Sequence, residues 1–482
     1  MRFLEAPADP NAPAPADAQT GPQPPEDFAT AFAPDAANPF SWKWAGHLLR
    51  RAAFGPTPDK LRDAVAKQPG QVVDELFAYD PATDIGGLNA FLEQASALYD
   101  IRRGAHMVVE WWFHRMIHTP FPAQERLALF WHDHFATSAG KVGRADWMHD
   151  QIELFRTQGK GSFRDMLIAV GRQPAMLRWL DGHASHKNSP NENYAREILE
   201  LFTMGVDQYT EKDIQELARA FTGWLINGNE GRFDPNRFDE GEKTVFGETA
   251  AFNDESAVDL ILKQDRAGKF VAGRLLQCYV HPNPREEHVA HFAQRLRDHN
   301  WVIGEVLKEI LKSKLFYSDW AYRSRIKEPV ELLVGACLAL DGKPRADWCR
   351  SMTERMGQKL LYPPDVSGWK GNTQWINANT VMVRFRFGHD MAQQGFQEFV
   401  SGPMFQYLEK HQLNTPDKIL NEYSRLLLDN EVPAEIRGKL LDYITRDMQN
   451  QPADFKFDYN TVQHKVRGMV QLMTASPQFQ LA

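Results

Sequence analysis

A helix with a high density of polar residues is predicted to begin near residue 190. Ser189, Pro190 and Glu192 have the spacing of an N-cap, a first-turn proline and a capping box. A helix ordinarily buries an apolar stripe, and any polar side chain that is buried with it needs a partner. The pattern therefore predicts a polar site at the N-terminus of this helix.

The predicted helix Pro190–Met204 carries side chains suited to catalysis and to ligand binding. Glu197 is a candidate general base or metal ligand, and Arg196 is a candidate catalytic clamp for an anion. Asn191 and Asn193 are candidate substrate-binding residues. The alternative is an ion-pair ladder with no catalytic role, because i, i+4 spacing also relates Glu192, Arg196 and Glu200.

A second cluster, His132-Asp133-His134, places two imidazoles beside a carboxylate. These are metal-ligand types, and they predict a divalent metal site formed by His132, His134 and Glu197. His132 and Asp133 are also candidate catalytic residues. If the helix from Pro122 continues through this segment, residues two apart point in different directions. In that case one histidine is buried and hydrogen-bonded, and the other either supports a site residue from behind or lies on the surface.

A third candidate region is the irregular stretch 362–369, which is followed closely by Trp375. Gly368 allows a tight bend, and Asp365 and Trp369 are candidate substrate-binding residues. Trp369 and Trp375 could stack on a ring of a ligand. Equally, the two indoles could fill the core between two lobes of the protein.

The composition indicates a globular chain with no dedicated nucleic-acid surface. The chain has 482 residues, of which 43% are hydrophobic and 24% charged, and its net charge is -8. No Lys/Arg run stands out, which disfavours binding to nucleic acid. No segment has the pattern of a signal peptide or of a transmembrane helix, so the expected location is cytoplasmic, with export alongside a signal-bearing partner as the alternative.

The spacing of apolar residues predicts a mainly α, multi-helical globular fold with a short β-hairpin or ordered loop insertion. Residues 1–38 are rich in Pro and Ala and predict a disordered tail. An N-terminal helical lobe is predicted over 39–228 and the hairpin or loop insertion over 229–255. A C-terminal helical lobe is predicted over 256–482 and is expected to pack with the first lobe as one unit.

Several motifs together resemble one bacterial family across nearly all of residues 45–480. The segments that carry the resemblance are His47–Gly55, Phe130–Phe135, Asn191–Glu197, Ala218–Trp224, Tyr362–Trp369 and Ser476–Gln480. Together they are very specific, and the chain resembles the family catalogued as domain of unknown function eighteen hundred.

The resemblance implies a partner protein but no particular reaction, since the family has no agreed activity. Its genes often accompany those of a sulfatase-like family with export signals, which implies a paired role with a sulfatase-like partner protein and a glycan or sulfated polymer. The chain departs from the family pattern at one place. Relatives commonly have a His before the Asp-x-Gly-x-Lys-Thr segment, and here Phe238 precedes Asp239.

Two hypotheses remain open on the sequence. In the first, the protein is an enzyme whose His/Glu polar site, with or without a divalent metal, acts on a carbohydrate or sulfated polymer together with the partner. In the second, it is a non-catalytic helical accessory or binding protein for that partner or for a glycan. The first requires the imidazole and carboxylate groups of distant segments to meet in one solvent-accessible cavity.

Overall fold

A computed structural model describes residues 21–80, 99–342, 344–392, 402–447, 449 and 451–482. The predicted mainly α fold is confirmed. In the first half of the chain the α-helices span Trp42–Ala53, Pro58–Val65, Pro69–Leu76, Ala105–His118, Pro122–His134, Ala139–Val142, Ala145–Gln158, Phe163–Arg172, Pro174–Trp179, Glu192–Glu197 and Glu211–Ala220.

The second half of the chain is also helical. Its α-helices span Asp254–Leu262, Asp265–Tyr279, Glu286–Asp298, Ile303–Lys312, Pro329–Ala339, Ala346–Arg355, Ala378–Ala392, Gly402–Lys410, Pro416–Leu428, Ala434–Ile444, Tyr459–Thr461, Arg467–Ala475 and Pro477–Gln480. Short 3₁₀ turns occupy Ile101–Arg103, Gly182–Ala184, Pro235–Arg237 and Asn372–Trp375, and π-helical turns occupy Ile198–Thr203 and Val462–Val466.

Two antiparallel hairpins lie where the helical period disappears from the sequence. Trp224–Asn227 pairs with Glu230–Phe233, and Lys243–Val245 pairs with Glu248–Ala250. The second hairpin packs on the helix Glu211–Ala220. That helix begins with the capping box of Thr210 and Asp213.

The helix Pro122–His134 lies at the centre of the packing. It contacts the helices Trp42–Ala53, Ala105–His118 and Ala145–Gln158. Every residue of this helix is buried except Asp133. A helix that is enclosed on all sides can present a group to solvent only where its covering is interrupted. Asp133 marks that interruption.

Helices of the first predicted lobe pack directly on helices of the second. Ala105–His118 contacts Ala346–Arg355, and Trp42–Ala53 contacts Pro416–Leu428. Residues 28–32, within the segment predicted to be a disordered tail, are attached to this body through backbone hydrogen bonds with residues 312–315. Phe32 is buried against Tyr317 at a ring distance of 4.5 Å.

Among the described residues, none of the helices combines the length and the apolar character that crossing a bilayer requires.

A buried ion cluster joins three of the central helices. Glu125 is fully buried and accepts hydrogen bonds from Trp112 Nε1 at 2.9 Å, Arg115 Nε at 2.8 Å and Arg156 Nε at 2.7 Å. Burial opposes ionisation, but Arg156 and Arg115 hold the pKa of Glu125 below its ordinary value. The carboxylate is therefore ionised in the folded protein.

Replacing Glu125 with Gln should lower the free energy of unfolding by about 3–5 kcal/mol, because it removes a fully buried carboxylate that pairs with both Arg115 and Arg156. Denaturant unfolding at pH 7 measures this loss. A lowered folded-state pKa adds stability that is present above the unfolded value of about 4.3 and is lost as the pH falls through the folded value. The difference in free energy of unfolding between the wild type and Glu125→Gln should therefore become smaller at acidic pH.

The exposed Glu192→Gln serves as the control, and it should unfold like the wild type at both pH values. Equal stability of Glu125→Gln and wild type at pH 7 would contradict the assigned role of this cluster.

Candidate functional site

The carboxylate of Asp133 joins three distant segments of the chain. It accepts a hydrogen bond from the backbone N–H of Trp369 at 2.7 Å and another from Arg274 Nη2 at 2.9 Å. The side chain is 24% exposed. Burial raises the pKa of Asp133, and Arg274 opposes this shift. The helix end at Asp133 and the loop at Trp369, both predicted as candidate site segments, therefore meet.

Gly368 lets the loop approach Asp133 closely. Its φ is +77°, and a Cβ at this position would lie within 3.0 Å of both Oδ1 and the backbone oxygen of Asp133. A side chain would therefore meet a backbone atom that cannot move aside. The predicted tight bend at Gly368 is confirmed, and its purpose is contact with Asp133.

His132 is buried and bound to the backbone of the same region. Its Nε2 accepts the N–H of Leu361 at 3.2 Å, so the neutral ring carries its proton on Nδ1. The ring lies 5.6 Å from Trp369 and 5.5 Å from Trp112. Burial lowers the pKa of His132 to about 4. The imidazole is neutral near pH 7 and positions the segment that precedes the loop.

His134 faces a different part of the protein. Its Nε2 donates to the backbone oxygen of Phe202 at 3.0 Å, within the π-helical turn Ile198–Thr203. Burial, followed by the charge of Arg274, lowers the pKa of His134 to about 3. The two histidines diverge because the helix from Pro122 continues through His134, as the spacing argument anticipated.

The predicted metal ligands are not assembled. Among the residues that the structure describes, no group of three or more His, Cys, Asp and Glu side chains is placed to hold a metal ion. His132 and His134 use their Nε2 atoms on different backbone groups, and neither ring is shared with Glu197. The expected site of His132, His134 and Glu197 is therefore corrected to two separate buried histidines and a carboxylate elsewhere.

Glu197 lies close enough to Asp365 of the loop 362–369 to sense its charge. It is half-buried, and its pKa is raised by burial, then by Glu200 and by Asp365, against the opposing charge of Arg196. Asp365 itself accepts from the backbone N–H of Ser367 at 2.8 Å, which shapes the loop. The polar helix therefore approaches the loop through carboxylates.

Arg196 is engaged in ion pairs. It donates to Glu211 at 3.0 and 2.7 Å and lies 3.7 Å from Glu200. These contacts correspond to the ion-pair alternative given for Arg196, not to an anion clamp. The ion pairs reach beyond its own helix to Glu211 on the next one.

The N-cap of the polar helix is Asn191 and not Ser189. Asn191 Oδ1 accepts the N–H of Asn193 at 2.9 Å, and its Nδ2 donates to Leu180 O at 2.9 Å. Asn193 Nδ2 also donates to Leu180 O, at 3.5 Å. Ser189 instead forms an isolated bridge with His186. The two asparagines thus hold the turn before the helix, and Asn191 lines a small cavity of about 20 Å³ away from Asp133.

A polar cavity of about 200 Å³ lies beside Asp133. Asp133 and Glu328 bring carboxyl groups to it, and Trp369 and Trp375 bring indole rings. The cationic side chains on its wall are Arg126, Arg274, Arg325 and Lys370. This cavity, which we call the Asp133 cavity, combines acid–base groups with aromatic surface.

The two neighbouring carboxyl groups of Glu328 and Glu331 have pKa values shifted in opposite directions. Glu331 accepts from Arg126 at 2.8 Å, from Arg325 and from the N–H of Glu328 at 3.0 Å. Although burial opposes it, Arg325 and Arg126 lower the pKa of Glu331 to about 2. Burial raises the pKa of Glu328 to about 7, with Arg126 opposing and Glu331 adding to the shift. Any proton shared by the pair therefore resides on Glu328.

The sequence analysis did not identify Glu328, Arg126 or Arg274. One signal was present: Glu331 is the single charged residue in the otherwise apolar helix Pro329–Ala339. A carboxylate in a helix that is buried on every side requires a cation from another segment. Which arginines supply that charge depends on the tertiary fold.

Phe238, where relatives commonly have a His, is part of an apolar contact outside the Asp133 cavity. Its ring lies 5.5 Å from Phe233 and 4.9 Å from Lys243 Nζ. In the segment that follows Phe238, Lys243 donates to the carbonyl oxygens of Asp239 and Gly241, and these bonds hold the segment in a turn.

The chain belongs to the family described as "Protein of unknown function (DUF1800)", whose model matches residues 47–481. No curated protein and no solved structure matches the chain. The matched range includes the helix end at Asp133, the loop at Gly368 and Glu328.

Replacing Gly368 with Ala should destabilise the protein more than the same change at Gly247. Both positions have positive φ, +77° and +80°, so both variants are expected to carry a backbone cost of about 1–2 kcal/mol. Gly247 has no heavy atom within 4 Å of a built Cβ, whereas Gly368 would also clash with Asp133.

Denaturant unfolding of both variants isolates the contact, because the shared backbone cost cancels in the comparison. A further loss of about 1–3 kcal/mol is expected for Gly368→Ala, the usual cost of overpacking a filled space. If the two variants lose the same stability, the close approach of the loop to Asp133 is not a constraint on the fold.

Proposed function

We propose that this member of the family is an enzyme that performs acid–base chemistry on a carbohydrate in the Asp133 cavity. The observation that carries the proposal is the geometry of the cavity wall, where two largely buried carboxyl groups, Asp133 and Glu328, lie on one cavity together with two indole rings. Perturbed carboxyl groups that share a cleft are typical of acid–base sites.

The surroundings of the two carboxyl groups suit them for opposite roles. Glu328, whose pKa is raised to about 7, retains a proton that it can donate to a leaving group at neutral pH. Asp133 accepts from Arg274 and from the N–H of Trp369, and both bonds favour its ionised form. A protonated and an ionised carboxyl facing one substrate are the requirement for glycoside hydrolysis.

The aromatic wall supports a ring-shaped substrate. Trp369 and Trp375 are largely buried, yet both line the cavity. An indole face packs well against the C–H groups of a sugar ring, while carboxyl and guanidinium groups bind its hydroxyls. The cavity of about 200 Å³ lies below the range of about 300–1,000 Å³ for drug-sized ligands and fits a single sugar unit.

The alternative function is that of a non-catalytic accessory protein that binds a glycan or a sulfatase-like partner. The observation that favours it is the continuity of Glu328 with a buried network. Arg126 lies 3.3 Å from Glu328 and 2.8 Å from Glu331, and Gln358 Nε2 donates to Glu328 at 2.6 Å. In this alternative the charges specify one fold, and the cavity binds without turnover.

Replacing Glu328 with Gln tests the proposal. The amide keeps the shape of the side chain and loses the transferable proton, so turnover should fall by about 10²–10⁴-fold. The measurement is release of reducing ends from a panel of neutral and acidic polysaccharides by the full chain. Wild-type turnover should decline above about pH 7 as Glu328 loses its proton, and the variant should lack this limb of the profile.

Glu354→Gln is the matched control, because Glu354 is partly exposed, pairs with Lys359 and does not line the cavity. It should keep the wild-type rate and pH profile. A Glu328→Gln protein with unchanged turnover and pH dependence would refute the proposal. Binding of a glycan without any turnover, equal in wild type and variant, would establish the accessory function instead.

A further inference from the structure

Positive charge predominates on the wall of the Asp133 cavity. Four cationic side chains, Arg126, Arg274, Arg325 and Lys370, face two carboxyl groups, those of Asp133 and Glu328. One of these two, Glu328, holds its proton up to about pH 7. Behind the wall, Glu331 offsets part of the charge through its pairs with Arg126 and Arg325.

Two guanidinium groups on the wall are held by the core. Arg126 is 1% exposed and lies 2.8 Å from Glu331, and Arg325 is 8% exposed and pairs with the same carboxylate. Arg274 is more accessible, since 29% of its side chain is exposed. Among the three arginines of the wall, Arg274 is therefore the one that a ligand in the cavity reaches most easily.

At the mouth of the cavity, Lys370 is exposed and forms no ion pair within the described part of the chain. It directly follows Trp369, whose N–H is bound by Asp133. Its ammonium group is therefore available to a ligand that enters beside the indole ring.

We infer that the Asp133 cavity binds an oxyanion carried by its substrate, so that the sugar unit recognised is an acidic one. This inference rests on the proposed function for its ring and adds the charged substituent. Carboxylate, sulfate and phosphate share the chemistry required: several oxygen acceptors for guanidinium N–H donors and at least one negative charge. A neutral sugar would leave the excess positive charge of the wall unmatched.

Calorimetric titration of the full chain with methyl glucuronide, glucose 6-sulfate, glucose 6-phosphate and glucose tests the inference. At least one anionic probe should bind about tenfold or more tightly than glucose, the gain expected of a charge-assisted hydrogen bond. The preferred probe identifies which oxyanion the cavity accepts. Equal affinity for all four probes, or no binding of the anions, would overturn the inference.

Two variants locate the anion. Lys370→Gln should weaken binding of the preferred anion by about two- to fivefold, the range for one accessible charge, and leave glucose unaffected. Lys212→Gln, an exposed lysine on the helix Glu211–Ala220 that does not line the cavity, should change neither. An equal effect of both lysine variants would place the anion outside the cavity and refute the inference.

Glu328→Gln separates this inference from the proposed function. Removing a carboxyl from the wall should leave anion binding intact or tighten it while turnover is lost. Anion binding together with full turnover in this variant would remove the proposed acid–base function and keep the anion site. Turnover of neutral glycans by the wild type, with no preference for anionic probes, would keep the proposed acid–base function and refute the anion site.

Discussion

The need to stabilise one carboxylate at the end of a buried helix organises this region of the protein. In the helix Pro122–His134 every residue is buried except Asp133. An ionised group in that position is costly unless charged or N–H donors reach it. Arg274 and the backbone of Trp369 do so. The loop and the helix Asp265–Tyr279 are thereby held where their neighbours form a cavity.

Much of the architecture could be predicted from local patterns. Apolar periodicity predicted the helices, and the loss of that period predicted a short hairpin or ordered loop insertion. The divergence of His132 and His134 also follows from helix geometry alone. These features depend on residues within a few positions of one another, where sequence spacing determines direction.

The composition of the site could not be predicted in the same way. Arg126, Arg274 and Glu328 lie more than fifty residues apart in sequence, and only the tertiary fold shows which cation meets which carboxyl. The N-cap at Ser189 was wrong because Asn191 binds the helix start and Leu180 together. The π-turn Ile198–Thr203 has no sequence signature, yet it holds the carbonyl that receives His134.

Arg126 belongs to two systems at once, because its guanidinium binds Glu331 in the core and its side chain forms part of the cavity wall. Selection for a new ligand cannot alter this residue without also disturbing folding. Lys370 is exposed and forms no ion pair among the described residues, so it can be replaced without the loss of a core contact. Diversification among descendants of this protein should therefore accumulate at the entrance, while the floor of the cavity stays invariant.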